Sequence, residues 1–547
     1  MSKELPIFTY IEHEDGDKGL EAYIDLCLGG HSTSVTASPE STNGGIDAEN
    51  FIRRVAYAIR QDFTIVTEPY HLDKCFRDTY YMYFASQHFQ VDRYCTRITF
   101  LKGHYDWDKL LYENAKDVKG IEEDLVGTVV VIPVSGGIIG RSLLKPEYFF
   151  NEEGCYLRKS RFRFHMYGIP LEIDAFPYQM QDKETMRCTE VTLLNLMDYY
   201  SNTYSDYRAV TPSEIISLKQ THSHERVLPS RGITYQMLTK VMSDLGFSPR
   251  LYNLRAMRND DMSGISQQDE LKRLLHYYVE SGIPVAVNLE QKNGRGVGHS
   301  LLCIGHSTGK NEGEMWERRQ VIGDPFEAGF DVQSSYTITD SADFYNRYVV
   351  IDDNQFPYTI SDFENMSIYQ DMQVTNIAIP LYKRMFMEAA DAHKITYEIL
   401  TSEKWGIFAW GKDYLSAKGI KNVIIRLFLA SSRSFKSYRI NAFAGRNKGL
   451  QMIYELIRLP QFVWVCELYS EEGYEKKEPE AFAEIILDGT SANKKGINNT
   501  IMMTYPNTVY SRSPEELDAD EAALNRIEIK DDCLIPAYRK NLAYYGS

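Results

Sequence analysis

The sequence predicts an α+β fold whose middle third carries a helix-borne cysteine and an antiparallel sheet bearing a histidine and an aspartate. Three observations predict it. After Cys188, apolar residues fall at Val191, Leu194, Leu196, Met197 and Tyr200, near helical spacing, so a helix starts at or just after the cysteine. His299 follows Gly298 and opens the apolar run Ser-Leu-Leu-Cys-Ile, which reads as a buried strand. Tyr348-Val-Val-Ile-Asp352 is a second β-branched run, and its aspartate ends it sharply.

The flanks also mix helix and strand. Residues 49–61 and 76–90 have the apolar spacing of helices. Residues 95–101 alternate like a strand, and Gly127 to Pro133 is a short β-branched run bounded by turn residues. The small, polar stretch Ser32 to Gly45 reads as a flexible loop, and Ser135-Gly136-Gly137 as a plain turn. Arg158, Lys159, Arg161 and Arg163 form the densest basic run; their alternation predicts an edge strand with a solvated face. Leu271 to Gly282 reads as an amphipathic helix stopped by glycine, with a strand over 283–289 behind it. Beyond residue 370, helices are expected near 381–397 and 447–458, and strands over 422–430, 461–468 and 483–488. The acidic stretch 514–522 reads as a solvated helix start. These expectations divide the chain into an N-terminal α+β region (1–150), a middle region (151–368) and a C-terminal α+β region (369–547).

Composition narrows the function classes. Hydrophobic residues at 43% and charged residues at 25% are globular values, which argues against long disorder. A net charge of -16 disfavours non-specific binding to nucleic acid. No apolar run of about 18 residues is present to span a membrane. The N-terminal segment lacks the apolar centre of a signal peptide, so the expected compartment is the cytoplasm. The eight cysteines are scattered without a CxxC pair, which predicts neither a zinc site nor a disulfide framework. His222 and His224, two histidines alone, are too few for a metal site, and Cys466 sits inside an apolar strand with no helix start beside it.

The chemistry-bearing residues then fall in order. A helix N-terminus stabilises an anion through its free N–H groups, which favours thiolate formation by a cysteine placed there. Gln181, seven positions before Cys188, places an amide where it can face an oxyanion formed on a carbonyl that Cys188 attacks. A cysteine nucleophile needs a base, and His299 at a strand mouth is the candidate. The base needs an orienting acid. Asp324 in Gln-Val-Ile-Gly-Asp-Pro and Asp352 (or Asp353) both end strands able to pair with 299–305. The cleaner β signal favours Asp352.

This ordered set resembles papain-like cysteine peptidases, and is most similar to the double-glycine leader peptidases of bacterial peptide exporters and their free-standing relatives. The resemblance rests on Gln181…Cys188, Gly282-Ile-Pro-Val285, Gly298-His299-Ser-Leu-Leu, and Asp324-Pro325 or Asp352-Asp353, over roughly residues 175–360. It departs where Thr189 follows the cysteine in place of the usual glycine, and where the Gln-to-Cys spacing is one residue longer than the commonest. The segments Gly127–Arg141 and Asp352–Tyr358 are also similar to segments flanking the Cys and His blocks of a set of bacterial proteins with no established substrate. The resemblance implies a papain-like core and a triad of Cys188, His299 and Asp352 with Gln181 at the oxyanion. It implies thiolate acyl transfer on a protein or peptide substrate, without metal or organic cofactor. A regulated bacterial effector, with a protein regulator as partner, is the setting that analogy suggests. Two rival expectations are an acyltransferase of transglutaminase type and a non-catalytic binding protein that keeps the fold.

Overall fold

The computed structural model describes residues 5–546 except 14–15, 29–44, 89–90, 114–117, 135–136, 151–153, 258–265, 295–297, 310–319, 323–335, 367, 369–370, 407–408, 410–411, 493–495, 513–523 and 530–533. The loop expected at Ser32 to Gly45, Ser135 and Gly136 of the expected turn, Asp324 and the acidic stretch 514–522 lie wholly or largely outside the described residues.

The chain is α+β, with its helices packed on three large, mainly antiparallel sheets. The first sheet runs from Phe8–Ile11 through Phe63–His71, Cys95–Lys102, Leu125–Ile132, Ser142–Leu144 and Ile169–Tyr178 to the edge strand Ser160–Met166. It thus takes in strands beyond residue 150. On its edge strand Phe162, Phe164 and Met166 face inward, while Arg161 and Arg163 face out. Those arginines pair across the ladder with Asp174 and Glu172, and Lys159 pairs with Asp174. Most of the basic run is therefore matched locally by carboxylates of the neighbouring strand.

The Ala48–Ala58 helix lies where apolar spacing placed one. Asp47 caps it by accepting the Asn50 N–H at 2.7 Å, and Phe51, Ile52 and Val55 form its buried stripe. The helix expected over 76–90 is Lys74–Met82, followed by a single tight turn at Phe84–Ser86.

The second sheet carries the candidate site. Its order is Arg250–Asn253, Met372–Ile379, Val285–Gln291, His299–Ser307, Arg347–Ile351 and Thr359–Asp362, with Cys155–Leu157 and Ala543–Tyr545 added beside the far end of the histidine strand. Leu302 opposes Ile351 in antiparallel register, which brings Asp352 alongside the start of the histidine strand. The Gln267–Glu280 helix ends at Gly282, whose φ of 72° and close approach to the Asn541 carbonyl exclude a Cβ.

The third sheet runs Gln320–Ile322, Tyr336–Asp340, Asn422–Ser431, Phe462–Tyr469, Ala483–Asp488, Thr500–Tyr505, Thr508–Arg512 and Leu524–Glu528. One expectation is corrected here. The Gln320–Ile322 strand pairs with Tyr336–Asp340 and not with His299–Ser307; Tyr336–Asp340 in turn lies parallel to Asn422–Ser431. A second correction concerns the helix expected at 381–397, which is Ala389–Leu400. Tertiary bonds take the backbone before it: Gly489 O accepts from the N–H groups of Phe386 and Met387, and Met387 O accepts the Trp464 indole N–H at 3.0 Å.

The second and third sheets share one core, in which Leu271, Leu274 and Tyr278 of the intervening helix meet Val285, Val287 and Trp464. Among the described residues no helix is long and apolar enough to cross a membrane.

Candidate active site

Cys188 is the first residue of the Cys188–Thr203 helix and is partly exposed. Local chemistry fixes that start. The Asp182 carboxylate accepts the N–H groups of Glu184, Thr185 and Met186 at 2.7–2.9 Å, which winds the chain tightly between Gln181 and Cys188. Glu190, fully buried in the first turn, accepts the Arg187 N–H at 3.2 Å, the Lys219 ammonium at 2.8 Å and the Ser230 hydroxyl at 2.5 Å. The helix is tied to the histidine strand by Thr192, whose hydroxyl donates to Ser300 O at 3.2 Å.

His299 opens its strand and is 6% exposed. Its Nε2–H donates to Asp352 Oδ1 at 2.8 Å, and the Cys188 side chain lies within hydrogen-bonding reach of the same ring. Nδ1 is therefore the nitrogen left to face sulfur. Asp352 is fully buried and is held in turn by the Asn354 N–H and the Gln355 side-chain amide, each at 2.9 Å. Three hydrogen-bond donors on one carboxylate fix its orientation before any substrate arrives.

The electrostatics follow from this packing. Burial pushes the His299 pKa down. The Asp352 charge, the bond to Asp352 and the Cys188 contact outweigh it, and the ring is held well above its ordinary value. Asp352 is lowered against the pull of burial, chiefly by the His299 charge and its hydrogen bond. Asp353 behaves oppositely. Its Oδ1 lies 3.8 Å from His299 Nε2, and burial, then the neighbouring Asp352 charge, push it up to about 8.

The structure thus brings Cys188, His299 and Asp352 together. Asp353 stands second to Asp352 at the ring, and Asp324 lies outside the described residues. Gln181 reaches the same neighbourhood, donating its amide N–H to Asn354 Oδ1 at 3.1 Å. Asn354 and Gln355 are site residues that the sequence reading missed. Their signals were the polar run Asp-Asp-Asn-Gln after a buried strand and the similarity of the Asp352–Tyr358 segment to a segment of bacterial proteins.

The N-terminal region also adjoins the site. Ile46 N–H donates to Asn354 O at 2.8 Å, and Phe51 packs against Phe356 with ring centroids 4.8 Å apart. Elsewhere, Cys466 is buried in its strand, and the His222 ring pairs with Asp244 at 2.5 Å.

No protein-family model and no curated protein matches this chain. The reading of the site therefore rests on its geometry and sequence order.

Asp353 makes a pH-dependent contribution to stability. Its folded pKa is raised, so the folded chain binds the proton more tightly than the unfolded chain. The resulting penalty is absent below the unfolded value near 4, grows as pH rises, and is complete above about 8. His299 and Asp352 are present in wild type and variant alike. Asp353→Asn removes this acid, so its gain in thermal midpoint over wild type is expected to be larger at pH 8 than at pH 5. Equal gains at both pH values refute the assignment.

Proposed function

We propose that this chain is a cysteine hydrolase with a papain-like core that cleaves a peptide or related amide bond by thiolate acyl transfer. The observation that carries the proposal is the His299 ring held on Asp352 at 2.8 Å with the Cys188 side chain in reach of it at a helix start. Together they supply what the reaction needs: a thiol at a helix start, a base in its reach and a carboxylate orienting that base.

In the proposed reaction His299 Nδ1 takes the Cys188 proton and the sulfur attacks the carbonyl carbon. The oxyanion is held by the Cys188 N–H at the helix start and by the Gln181 amide. His299 then gives its proton to the leaving amine as the C–N bond breaks. Water attacks the thioester, His299 accepts its proton, and the acid product leaves with the thiol restored. Asp352 keeps the ring oriented and balances its charge throughout. The flanks are proposed to select the substrate or a protein regulator, as the contacts of Ile46 and Phe51 beside Asn354 and Phe356 suggest.

The test is a peptide-like acylating probe followed by mass mapping. Label is expected on Cys188 and is lost in Cys188→Ala. Product mass then separates water from an amine as acceptor, which divides hydrolase from acyltransferase. Labelling of Cys188 no faster than that of the buried cysteines would sink the enzyme reading in favour of a binding protein.

Gln181→Ala gives a sharper test of the oxyanion role. Acylation is expected to slow by about 10²–10³. Alkylation by iodoacetamide, which forms no oxyanion, should be almost unchanged. Equal slowing in both would show that Gln181 only shapes the loop.

A further inference from the structure

A second cluster of reactive side chains lies at the other end of the histidine strand, seven residues or roughly 23 Å from His299. His276 and Glu280 stand four apart on the Gln267–Glu280 helix, hence on one face. His306 comes from the His299–Ser307 strand. One donor atom from each lies within 4.8 Å of the others, and the three residues are 2%, 5% and 2% exposed.

Hydrogen-bond accounting shows what the cluster lacks. His306 Nδ1 lies 2.8 Å from Ser307 O, a carbonyl that can only accept, so Nδ1 carries the proton. In the neutral ring Nε2 is then a bare lone pair. It lies 2.8 Å from Glu280 Oε2, a carboxylate oxygen that is also a lone-pair donor. A positive species must mediate that contact. His276 Nδ1, in a ring stacked on Tyr345, is buried without a hydrogen-bond partner. A proton on His306 would satisfy the His306–Glu280 contact and leave His276 Nδ1 unpaired. A metal ion can engage all three residues.

We infer that His276, Glu280 and His306 form a stabilising zinc site that clamps the histidine strand to the Gln267–Glu280 helix, with a water completing the tetrahedron. Two imidazoles and one carboxylate suit Zn²⁺, whereas Ca²⁺ and Mg²⁺ prefer all-oxygen sets. Zinc–ligand bonds of about 2.0–2.1 Å place tetrahedral ligand atoms roughly 3.3 Å apart, so the His306–Glu280 contact opens by about half an ångström. The supporting contacts are already built. Ser307 O holds the far nitrogen of His306, and Arg426 Nε–H donates to the other Glu280 oxygen at 2.7 Å. The site uses no cysteine, so cysteine spacing gives no sign of it.

Zinc content of the purified full-length chain tests the inference. About one zinc per chain is expected, and His276→Gln should weaken binding by more than about 100-fold, beyond the loss typical of a supporting contact. Because His299, Asp352 and Asp353 are a second donor group, His299→Ala is the control and should retain the metal. Cobalt added to chelator-treated protein should give the visible absorption of a tetrahedral site, dependent on His276. One arm needs no variant: chelation should lower the Tm of wild type and Zn²⁺ alone should restore it. Absence of a Zn²⁺-dependent rise in Tm overturns the inference, as does zinc retained by His276→Gln or lost in His299→Ala. In those cases a proton on His306 links it to Glu280.

Discussion

His299→Ala should slow acylation of Cys188 at pH 7 by about 10²–10⁴, the range in which a positioned proton acceptor contributes. The expectation rests on the nearly complete burial of the ring and on the single role its surroundings leave it. Nε2 is committed to Asp352 at 2.8 Å, so the remaining nitrogen has the Cys188 proton as its partner. Removing the ring leaves Asp352 buried and held by the Asn354 N–H and the Gln355 amide. Asp352→Asn keeps the ring and its reach but withdraws the charge that stabilises the imidazolium. Its loss should therefore fall below that of His299→Ala. Added imidazole should restore part of the His299→Ala rate, since it returns a base without a side chain. The measurement is the second-order rate of probe acylation. An unchanged rate in His299→Ala would remove the base from the mechanism and with it the hydrolase proposal.

Arg439→Ala should destabilise the chain by about 3–5 kcal/mol, the usual cost of breaking a buried ion pair by removing one partner. Arg439 is fully buried on the Ser432–Phe443 helix. Its guanidinium meets Glu467 at 2.6 Å, Glu484 through Nε at 3.0 Å, and the Pro536 carbonyl. Glu467 and Glu484 are also fully buried, on adjacent strands, so alanine leaves two carboxylates facing each other in the core. Burial already pushes Glu484 upward against the pull of Arg439. Without the arginine it should take a proton on folding, so the loss of stability should be smaller at pH 5 than at pH 8. Urea midpoints at the two pH values check both the size and the sign. Arg439→Met combined with Glu484→Gln should recover much of the loss by removing the uncompensated charge. A single-variant effect under about 1 kcal/mol would mean that the network adds nothing beyond packing.

These two arginine–carboxylate and histidine–carboxylate systems differ in how visible they are in a sequence. The helix at Cys188, the glycine stop at Gly282 and the strands at His299 and Tyr348 follow from local apolar period and turn residues, which short-range sterics enforce. Glu467 and Glu484 interrupt apolar strands, and although the Tyr469 hydroxyl donates to Glu467 locally, their cationic partners are distant in sequence. Arg439 is on a helix 28 residues before one and 45 before the other. Nothing in the spacing joins them, and burial among third-sheet residues makes the pairing necessary. Residues 381–388 show the reverse effect, where a sequence with helical spacing gives up helix because tertiary acceptors and donors claim its backbone.

By itself the sequence determined the mixed α+β character, the most strongly patterned elements of the middle sheet, and the order glutamine, cysteine, histidine, aspartate. Those are properties of side-chain identity and local period. Only the tertiary structure decided that Asp352 directly contacts the imidazole, with Asp353 further away. It also decided that Asn354 and Gln355 hold that carboxylate. The reason is register: His299 and Asp352 are 53 residues apart, and a carboxylate reaches an imidazole only when two antiparallel strands end in step.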